Sequence, residues 1–137
     1  MMDIRVELTK TPKEKPTDHT KLGFGDIFTD HMFLMNYKKG KGWYDPRIVP
    51  YGPLQLDPAA MILHYAQEVF EGMKAYCCED GMIRLFRPQE NFKRLNASNS
   101  HVCIPPVDEE LVLEGLKKLI EIEKDWVPTA ENTSLYI

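Results

Sequence analysis

Residues 73 to 88, M-K-A-Y-C-C-E-D-G-M-I-R-L-F-R-P, are the stretch that decides the fold class. The dipeptide Asp80-Gly81 stands between two short runs of strand-forming residues, and Asp-Gly is the pair preferred in a two-residue type I′ turn. The pattern predicts a β-hairpin whose register pairs Cys78 with Ile83. A proline follows the hairpin at once, in a position that suits the first turn of a helix. The stretch therefore indicates antiparallel strands packed with helices.

Three helices are predicted around this hairpin. Asp57 and Pro58 favour a helix from about Pro58 to Val69, with a carboxylate at the N-cap and proline at the first position. A second helix is predicted over residues 89–100, although its Asn and Ser content indicates selection for something other than helix stability. The clearest helix is predicted from Asp108 to about Lys124, with an apolar stripe at helical spacing formed by Val112, Leu116, Leu119 and Ile120.

The N-terminal half predicts strands and irregular segments. Alternating residues over positions 4–8 predict a short half-buried strand, and the apolar run over 28–37 predicts a buried one. Residues 9–21 are polar and contain two prolines, so they are interpreted as an extended connector. Four prolines between positions 43 and 58 exclude a helix there and leave at most short edge pairings. Residues 134–137 resemble the opening of another strand.

Together these elements predict an α+β fold with a largely antiparallel sheet and packed helices. We predict one small domain over residues 22–137, preceded by an N-terminal strand and connector over residues 1–21. The last strand stops without a turn or polar tail, as the end of a truncated chain would.

Composition excludes several classes of protein. Hydrophobic residues make up 43% and charged residues 28%, as in soluble globular domains. The net charge of −4 and scattered basic residues argue against a nucleic-acid partner. Three cysteines without C-x-x-C spacing and four isolated histidines predict reduced thiols and no metal site. Without an apolar signal region at the N-terminus, we expect cytoplasmic localisation and no membrane partner.

The residue patterns alone do not name a reaction. No glycine-rich phosphate loop and no nucleophile-elbow pattern is present. A Ser-His-Asp or Cys-His site stays open, because the members of such a site meet only in space. From pattern and spacing, the sequence indicates an α+β domain and no more.

Several motifs, however, occur in the order found in one enzyme family. They are F-G-D-I-F-T-D-H-M (24–32), L-H-Y-A-Q-E-V-F-E-G-M-K-A-Y (63–76), I-R-L-F-R-P (83–88), N-F-K-R-L (91–95), K-D-W-V-P (124–128) and S-L-Y-I (134–137). Over nearly all of its length after Lys21, the chain resembles the N-terminal part of branched-chain amino-acid aminotransferases. Ordered agreement over such a length is specific, whereas any one of these motifs would be weak.

This resemblance implies the fold-type IV architecture of pyridoxal phosphate enzymes, with a small N-terminal domain, a large C-terminal domain and usually a homodimer. It implies amino transfer between leucine, isoleucine or valine and 2-oxoglutarate, giving the branched 2-oxo acid and glutamate. The Schiff-base lysine is expected beyond Ile137, so no catalytic residue is assigned in this chain. We therefore expect the chain alone to be inactive and to bind no pyridoxal 5′-phosphate specifically.

The resemblance also assigns five site residues. Arg94 matches the arginine that grips the cofactor phosphate, a task that suits a bidentate guanidinium. Phe24, Tyr65, Phe70 and Tyr136 match aromatic residues at the substrate pocket, where rigid walls suit a branched aliphatic side chain. Without the motifs, Arg94 would be interpreted as a solvated helix residue and the four aromatic residues as core. Glu71 receives no catalytic role, and Gly72 is explained by a sharp exit from helix to strand.

Two other functional readings remain open from the sequence. One is another fold-type IV enzyme, either a D-amino-acid aminotransferase or an aminodeoxychorismate lyase, which the F-T-D-H-M and K-D-W-V-P segments disfavour. The other is a non-catalytic binding or dimerisation module with the same fold. The parent reading frame discriminates between them, since an enzyme requires a lysine at the family's position beyond Ile137.

Overall fold

Two three-stranded sheets and three helices form the structure, a computed structural model that describes residues 2–137. One sheet has the order β1-β3-β2, and its strands are β1 (Arg5–Val6), β2 (His31–Lys38) and β3 (Gly42–Pro50). The other has the order β5-β4-β6, with β4 (Lys74–Cys77), β5 (Ile83–Leu85) and β6 (Leu135–Tyr136). The helices are α1 (Met61–Tyr65), α2 (Pro88–His101) and α3 (Glu109–Ile122), and a 3-10 turn follows at Lys124–Trp126.

The sheets are mostly antiparallel, as predicted. Among the strands of residues 2–137, only the short pairing of β1 with β3 is parallel, whereas β2–β3, β4–β5 and β4–β6 are all antiparallel. The described residues thus form a small mixed domain of helices and antiparallel sheets. None of its helices within residues 2–137 is long and apolar enough to cross a bilayer.

Strand β3 contradicts the prediction that the proline-rich segment makes only short edge pairings. It has nine residues and is the central strand of its sheet. Asp45 and Pro46 together oppose Met35, between the pairs Leu34–Arg47 and Asn36–Tyr44, and Asp45 has a φ of 53°. This β-bulge places the proline where a missing N–H costs no ladder hydrogen bond, so the strand continues through it.

The hairpin exists, but the predicted register is wrong by one residue. Cys77 pairs with Ile83, and the Cys78 N–H donates to the carbonyl of Met82 at 2.9 Å. Of the two turn residues Asp80 and Gly81, only Gly81 has positive φ, at 76°. A type I′ turn needs both, so a three-residue loop closed by glycine forms instead. The Asp80 carboxylate accepts the Met82 N–H at 3.0 Å and stabilises this loop.

Helix α1 is much shorter than predicted. Asp57 caps a turn, in which its Oδ1 accepts the Ala59 N–H at 2.7 Å, and the helix begins only at Met61. It ends at Tyr65, because Ala66 adopts the left-handed conformation with a φ of 47°. None of the α1 side chains is buried. Since short helices depend on packing of one face for stability, an unpacked helix of this length has nothing to extend it to Val69.

Helices α2 and α3 are confirmed within one or two residues of their predicted bounds. The Asp108 side chain caps α3 by accepting the N–H groups of Glu110 and Leu111, at 3.0 and 3.1 Å. Helix α3 contributes to both apolar clusters of the domain. One contains Ile4, Ile48 and Leu111, and the other contains Ala75, Phe92, Leu116 and Ile120. The helix therefore lies between the two sheets and supports each of them.

Candidate functional site

Arg94 lies midway along α2 and faces the segment that leads into β4. Its Nε donates to Oε2 of Glu71 at 2.7 Å, and its Nη2 donates to Oε1 of the same carboxylate. The Arg94 side chain is 67% exposed, whereas the Glu71 side chain is only 7% exposed. The buried Glu71 carboxylate thus binds the solvent-facing Arg94 guanidinium through two hydrogen bonds, a bidentate geometry that arginine forms and lysine does not.

Glu71 is fixed by two further donors. The Asn91 Nδ2 donates to Glu71 Oε1 at 2.9 Å and to the Gly72 carbonyl at 3.1 Å, and the Gly72 N–H donates to Oε1 at 3.1 Å. Asn91 and Arg94 are three residues apart on α2 and so share a face of the helix. This contact explains why a poor helix former occupies position 91.

The environment of Glu71 keeps it ionised. Hydrogen bonds from Arg94 outweigh the effect of burial and, with a smaller contribution from Asn91, lower the pKa of Glu71 to about 2. The same carboxylate raises the pKa of Arg94 above its usual value. Both groups therefore carry their charges throughout the physiological pH range.

An aromatic cluster lies next to this ion pair, across Gly72. Phe24 and Tyr136 pack edge to face, with ring centroids 5.1 Å apart and an interplanar angle of 62°. A Cβ added at Gly72 would lie 2.7 Å from Tyr136 Oη and 3.4 Å from Phe70 Cζ. Tyr136 and Phe70 thus converge on the one residue here that has no side chain. We refer to Phe24, Phe70 and Tyr136 as the aromatic cluster.

Tyr65 is not part of the aromatic cluster in this chain. It is the last residue of α1, and within residues 2–137 no hydrogen bond or ring contact joins it to Arg94 or to the cluster. Tyr65, Phe70 and Phe24 are 75%, 77% and 76% exposed. The alternative that these aromatic residues belong to the core is therefore wrong. The structure brings together four of the five predicted site residues and leaves Tyr65 apart.

Two cavities border these residues. A cavity of about 170 Å³ lies under the N-terminal connector and is lined in part by Phe24, Trp126 and Tyr136. A larger cavity of about 550 Å³ lies between β2 and helices α2 and α3, and its mostly apolar lining includes Glu71, Phe92 and Leu116. Glu71 thus lies between this apolar, partly open cavity and the solvent-facing guanidinium of Arg94.

A second buried polar group was not predicted from the sequence. His31 Nδ1 is hydrogen-bonded to Oε1 of Glu123, and both side chains are buried. The Thr9 N–H donates to His31 Nε2 at 2.9 Å. Since Nε2 accepts a hydrogen bond, the ring proton is on Nδ1 and is donated to Glu123. These residues are far apart in sequence, so no local pattern brings them together.

Asp30 extends this buried group to the connector. Its Oδ1 accepts the Lys13 N–H at 2.8 Å, and its Oδ2 accepts the Trp126 Nε1–H at 3.1 Å. Burial raises the pKa of Asp30, but these hydrogen bonds outweigh burial and leave it below its usual value. The connector is therefore fastened to Asp30 and to His31 at the start of β2, and Asp30 links it to Trp126 in the turn after α3. It continues from there to Phe24, so the fastening helps to place the aromatic cluster.

The amino-acid sequence of this chain is similar to those of several known proteins. The chain is 64% identical over 134 residues to branched-chain-amino-acid aminotransferase 2 of Bacillus subtilis (strain 168), covering 98% of the chain and 37% of that protein. It is 54% identical to a probable branched-chain-amino-acid aminotransferase of Staphylococcus aureus (strain MRSA252), with the same coverage. The chain matches an N-terminal piece of the branched-chain-amino-acid aminotransferases.

A similar protein also occurs outside the bacteria. A branched-chain-amino-acid aminotransferase of Dictyostelium discoideum is 47% identical over 135 residues, which are 98% of this chain and 36% of that protein. No family model matches the sequence. The resemblance predicted from the ordered motifs is confirmed, and the chain spans about 37% of the length of the Bacillus and Staphylococcus relatives.

Proposed function

We propose that this chain forms the small domain of an aminotransferase that moves an amino group between leucine, isoleucine or valine and 2-oxoglutarate. The observation that carries the proposal is the exposed Arg94 guanidinium, fixed by Glu71, beside an aromatic cluster in a chain 64% identical to an enzyme of that name. The fold-type IV architecture and the limits of residues 22–137 for this domain belong to the same proposal. So do a homodimer and cytoplasmic localisation.

The cofactor of the proposed enzyme is pyridoxal 5′-phosphate, and the donors present fit its phosphate. Two of the five N–H groups of Arg94 bind Glu71, and no hydrogen bond from residues 2–137 reaches Nη1. The Nη1 and Nη2 edge therefore faces solvent, ready to give two parallel hydrogen bonds to an anion. When bound, the cofactor supplies an electron sink for amino transfer. Arg94 contributes binding and orientation only.

The aromatic cluster suits the side chain of a branched amino acid. Phe24, Phe70 and Tyr136 present rigid apolar surface, so packing against them removes an aliphatic group from water at low conformational cost. Gly72 leaves room between them, since a methyl group there would overlap Tyr136. The aromatic cluster thus provides an apolar surface that excludes water from the substrate side chain, and it takes no part in proton transfer.

Proton transfer is assigned to a lysine outside this chain. Lys93 and Lys124 form ion pairs with Glu90 and Glu121 at 2.9 and 3.6 Å and are themselves largely exposed. A lysine that works as a nucleophile or base needs a lowered pKa, whereas its ion pair with Glu90 raises the pKa of Lys93. We therefore propose that the chain alone binds no cofactor specifically and transfers no amino group.

The complete coding sequence that contains this chain tests the proposal. We expect the purified protein to carry pyridoxal phosphate and to convert leucine, isoleucine and valine with 2-oxoglutarate, with little activity on D-alanine or aminodeoxychorismate. Replacing the internal lysine identified by borohydride labelling should abolish turnover. A preference for either alternative substrate would favour another fold-type IV activity, and a reading frame that stops at Ile137 would favour a binding module.

A further inference from the structure

Glu71 occupies one particular edge of the Arg94 guanidinium. A guanidinium has a side edge, formed by Nε and Nη2, and an end edge, formed by Nη1 and Nη2. Both hydrogen bonds from Arg94 to Glu71 use the side edge. The carboxylate therefore fixes the plane of the guanidinium and leaves the end edge directed away from the protein.

The carboxylate that does this is itself rigidly held. Its side chain is 7% exposed, and it accepts hydrogen bonds from the Asn91 amide and the Gly72 N–H as well as from Arg94. A buried carboxylate is retained only when its hydrogen-bonding capacity is satisfied, because an unpaired one is costly. The proposed reaction gives Glu71 no contact with substrate, so its burial requires another explanation.

The free arginine would be a poor binding group without this contact. An exposed arginine on a helix samples many rotamers, and binding an anion would then cost the entropy of immobilising it. The ion pair to Glu71 immobilises the side chain when the chain folds. An anion that arrives later meets a guanidinium already in its binding orientation, which is the benefit of preorganisation.

We infer that Glu71 is a positioning residue, which holds the side edge of Arg94 so that the end edge binds the cofactor phosphate. This inference rests on the proposed function. The negative charge of Glu71 opposes a phosphate, so the benefit comes from the reach and fixed position of the carboxylate. Shortening the side chain should therefore weaken phosphate binding more than neutralising it does.

Two matched variants separate reach from charge. Glu71→Asp keeps the charge and loses the reach, whereas Glu71→Gln keeps the length and an acceptor oxygen and loses the charge. We expect Glu71→Asp to weaken pyridoxal phosphate binding by the complete enzyme about tenfold, and Glu71→Gln to weaken it less. Binding of pyridoxal, which has no phosphate, should be unchanged in both. Asp80→Asn is the control, because it breaks a bidentate pair with Arg84 on the distant hairpin.

The same measurements in an Arg94→Ala background test whether Glu71 acts through Arg94. There, Glu71→Asp should cause no further loss of pyridoxal phosphate affinity. A loss as large as in the native background, or an equal loss of pyridoxal affinity, would show a merely structural role and overturn the inference. Glu71→Gln binding more weakly than Glu71→Asp would overturn it too. If Arg94→Ala itself leaves pyridoxal phosphate affinity unchanged, the phosphate assignment in the proposed function fails as well.

The 137-residue chain gives a readout that is independent of the cofactor. Solvent exchange of the Arg94 Nε–H, followed by NMR with labelled arginine, should be slow in the native chain and fast in Glu71→Asp. The thermal unfolding midpoint of each variant shows whether the fold is retained. Equally slow exchange in Glu71→Asp would mean that the length of the Glu71 side chain is not needed to hold the guanidinium, and it would overturn the inference.

Discussion

Gly115 is the position where packing between α3 and the first sheet can be tested most directly. A Cβ added there would lie 2.6, 2.7 and 3.0 Å from three carbon atoms of the Phe33 ring, all far inside a normal contact of about 3.5–4.0 Å. Gly115 is buried within α3, and Phe33 belongs to β2. To accommodate a methyl group, the ring would have to move by about an ångström.

Two opposing effects determine the result of Gly115→Ala. Alanine gains about 1 kcal/mol over glycine in helix propensity. Overpacking a well-filled core costs about 1–3 kcal/mol, and here three ring atoms clash at once. We therefore expect a net destabilisation of about 1 kcal/mol, measured as the free energy of unfolding in urea.

Phe33→Leu supplies the matched partner for a double-mutant cycle. The smaller side chain leaves room for the alanine methyl group, so the double variant should be more stable than the sum of the single changes predicts, by about 1–2 kcal/mol. Additive effects would show that Phe33 does not pack on Gly115. A net gain of about 1 kcal/mol for Gly115→Ala alone would show the same, because helix propensity would then act unopposed.

The candidate site supports four further predictions. Arg94→Lys should reduce pyridoxal phosphate affinity of the complete enzyme by about tenfold or more, because the bidentate fork is lost, while circular dichroism shows an intact fold. Phe24→Ala should raise the Michaelis constant for leucine more than that for glutamate in steady-state kinetics, and equal increases would count against a pocket role. In the folded protein the pKa of Glu71 is lowered from its usual value of 4.5 to about 2. The ionised carboxylate therefore stabilises the fold above pH 4.5, and this stabilisation is lost as the pH falls towards 2. The free energy of unfolding of Glu71→Gln should depend less on pH over that interval. The chain alone, mixed with pyridoxal phosphate, leucine and borohydride, should give scattered lysine labelling and no branched 2-oxo acid, and one dominant labelled lysine with turnover would refute its inactivity.

The sequence predicted elements whose stability is local. Helix α3 has an apolar stripe and a capping aspartate, and both signals lie within one segment of the chain. The hairpin was also predicted correctly, because a glycine between two strand-forming runs is a strong local signal for a turn. Its register could not be predicted from Asp80-Gly81, because this dipeptide fits both a two-residue and a three-residue loop. In the structure the loop has three residues, and the Asp80 carboxylate accepts the Met82 N–H. A short-range pattern does not distinguish these two loops.

Features that depend on distant residues were missed. The interruption of α1 reflects the lack of any surface that buries its side chains, and β3 continues past Pro46 because Met35 lies opposite a bulge. The Glu71–Arg94 pair joins residues 23 positions apart, and the family motifs had assigned a role only to the arginine. The family motifs did predict correctly that Phe24 and Tyr136 lie close together.

Helix α3 has a consequence for the cooperativity of the domain. Leu111 packs in one apolar cluster, while Leu116 and Ile120, about one and a half and two and a half turns further on, pack in the other. Loss of α3 would therefore remove side chains from both clusters at once. The two sheets, although they share no strand, are thus linked into a single cooperative folding unit, and the aromatic cluster and the Arg94–Glu71 pair persist or disappear together with it.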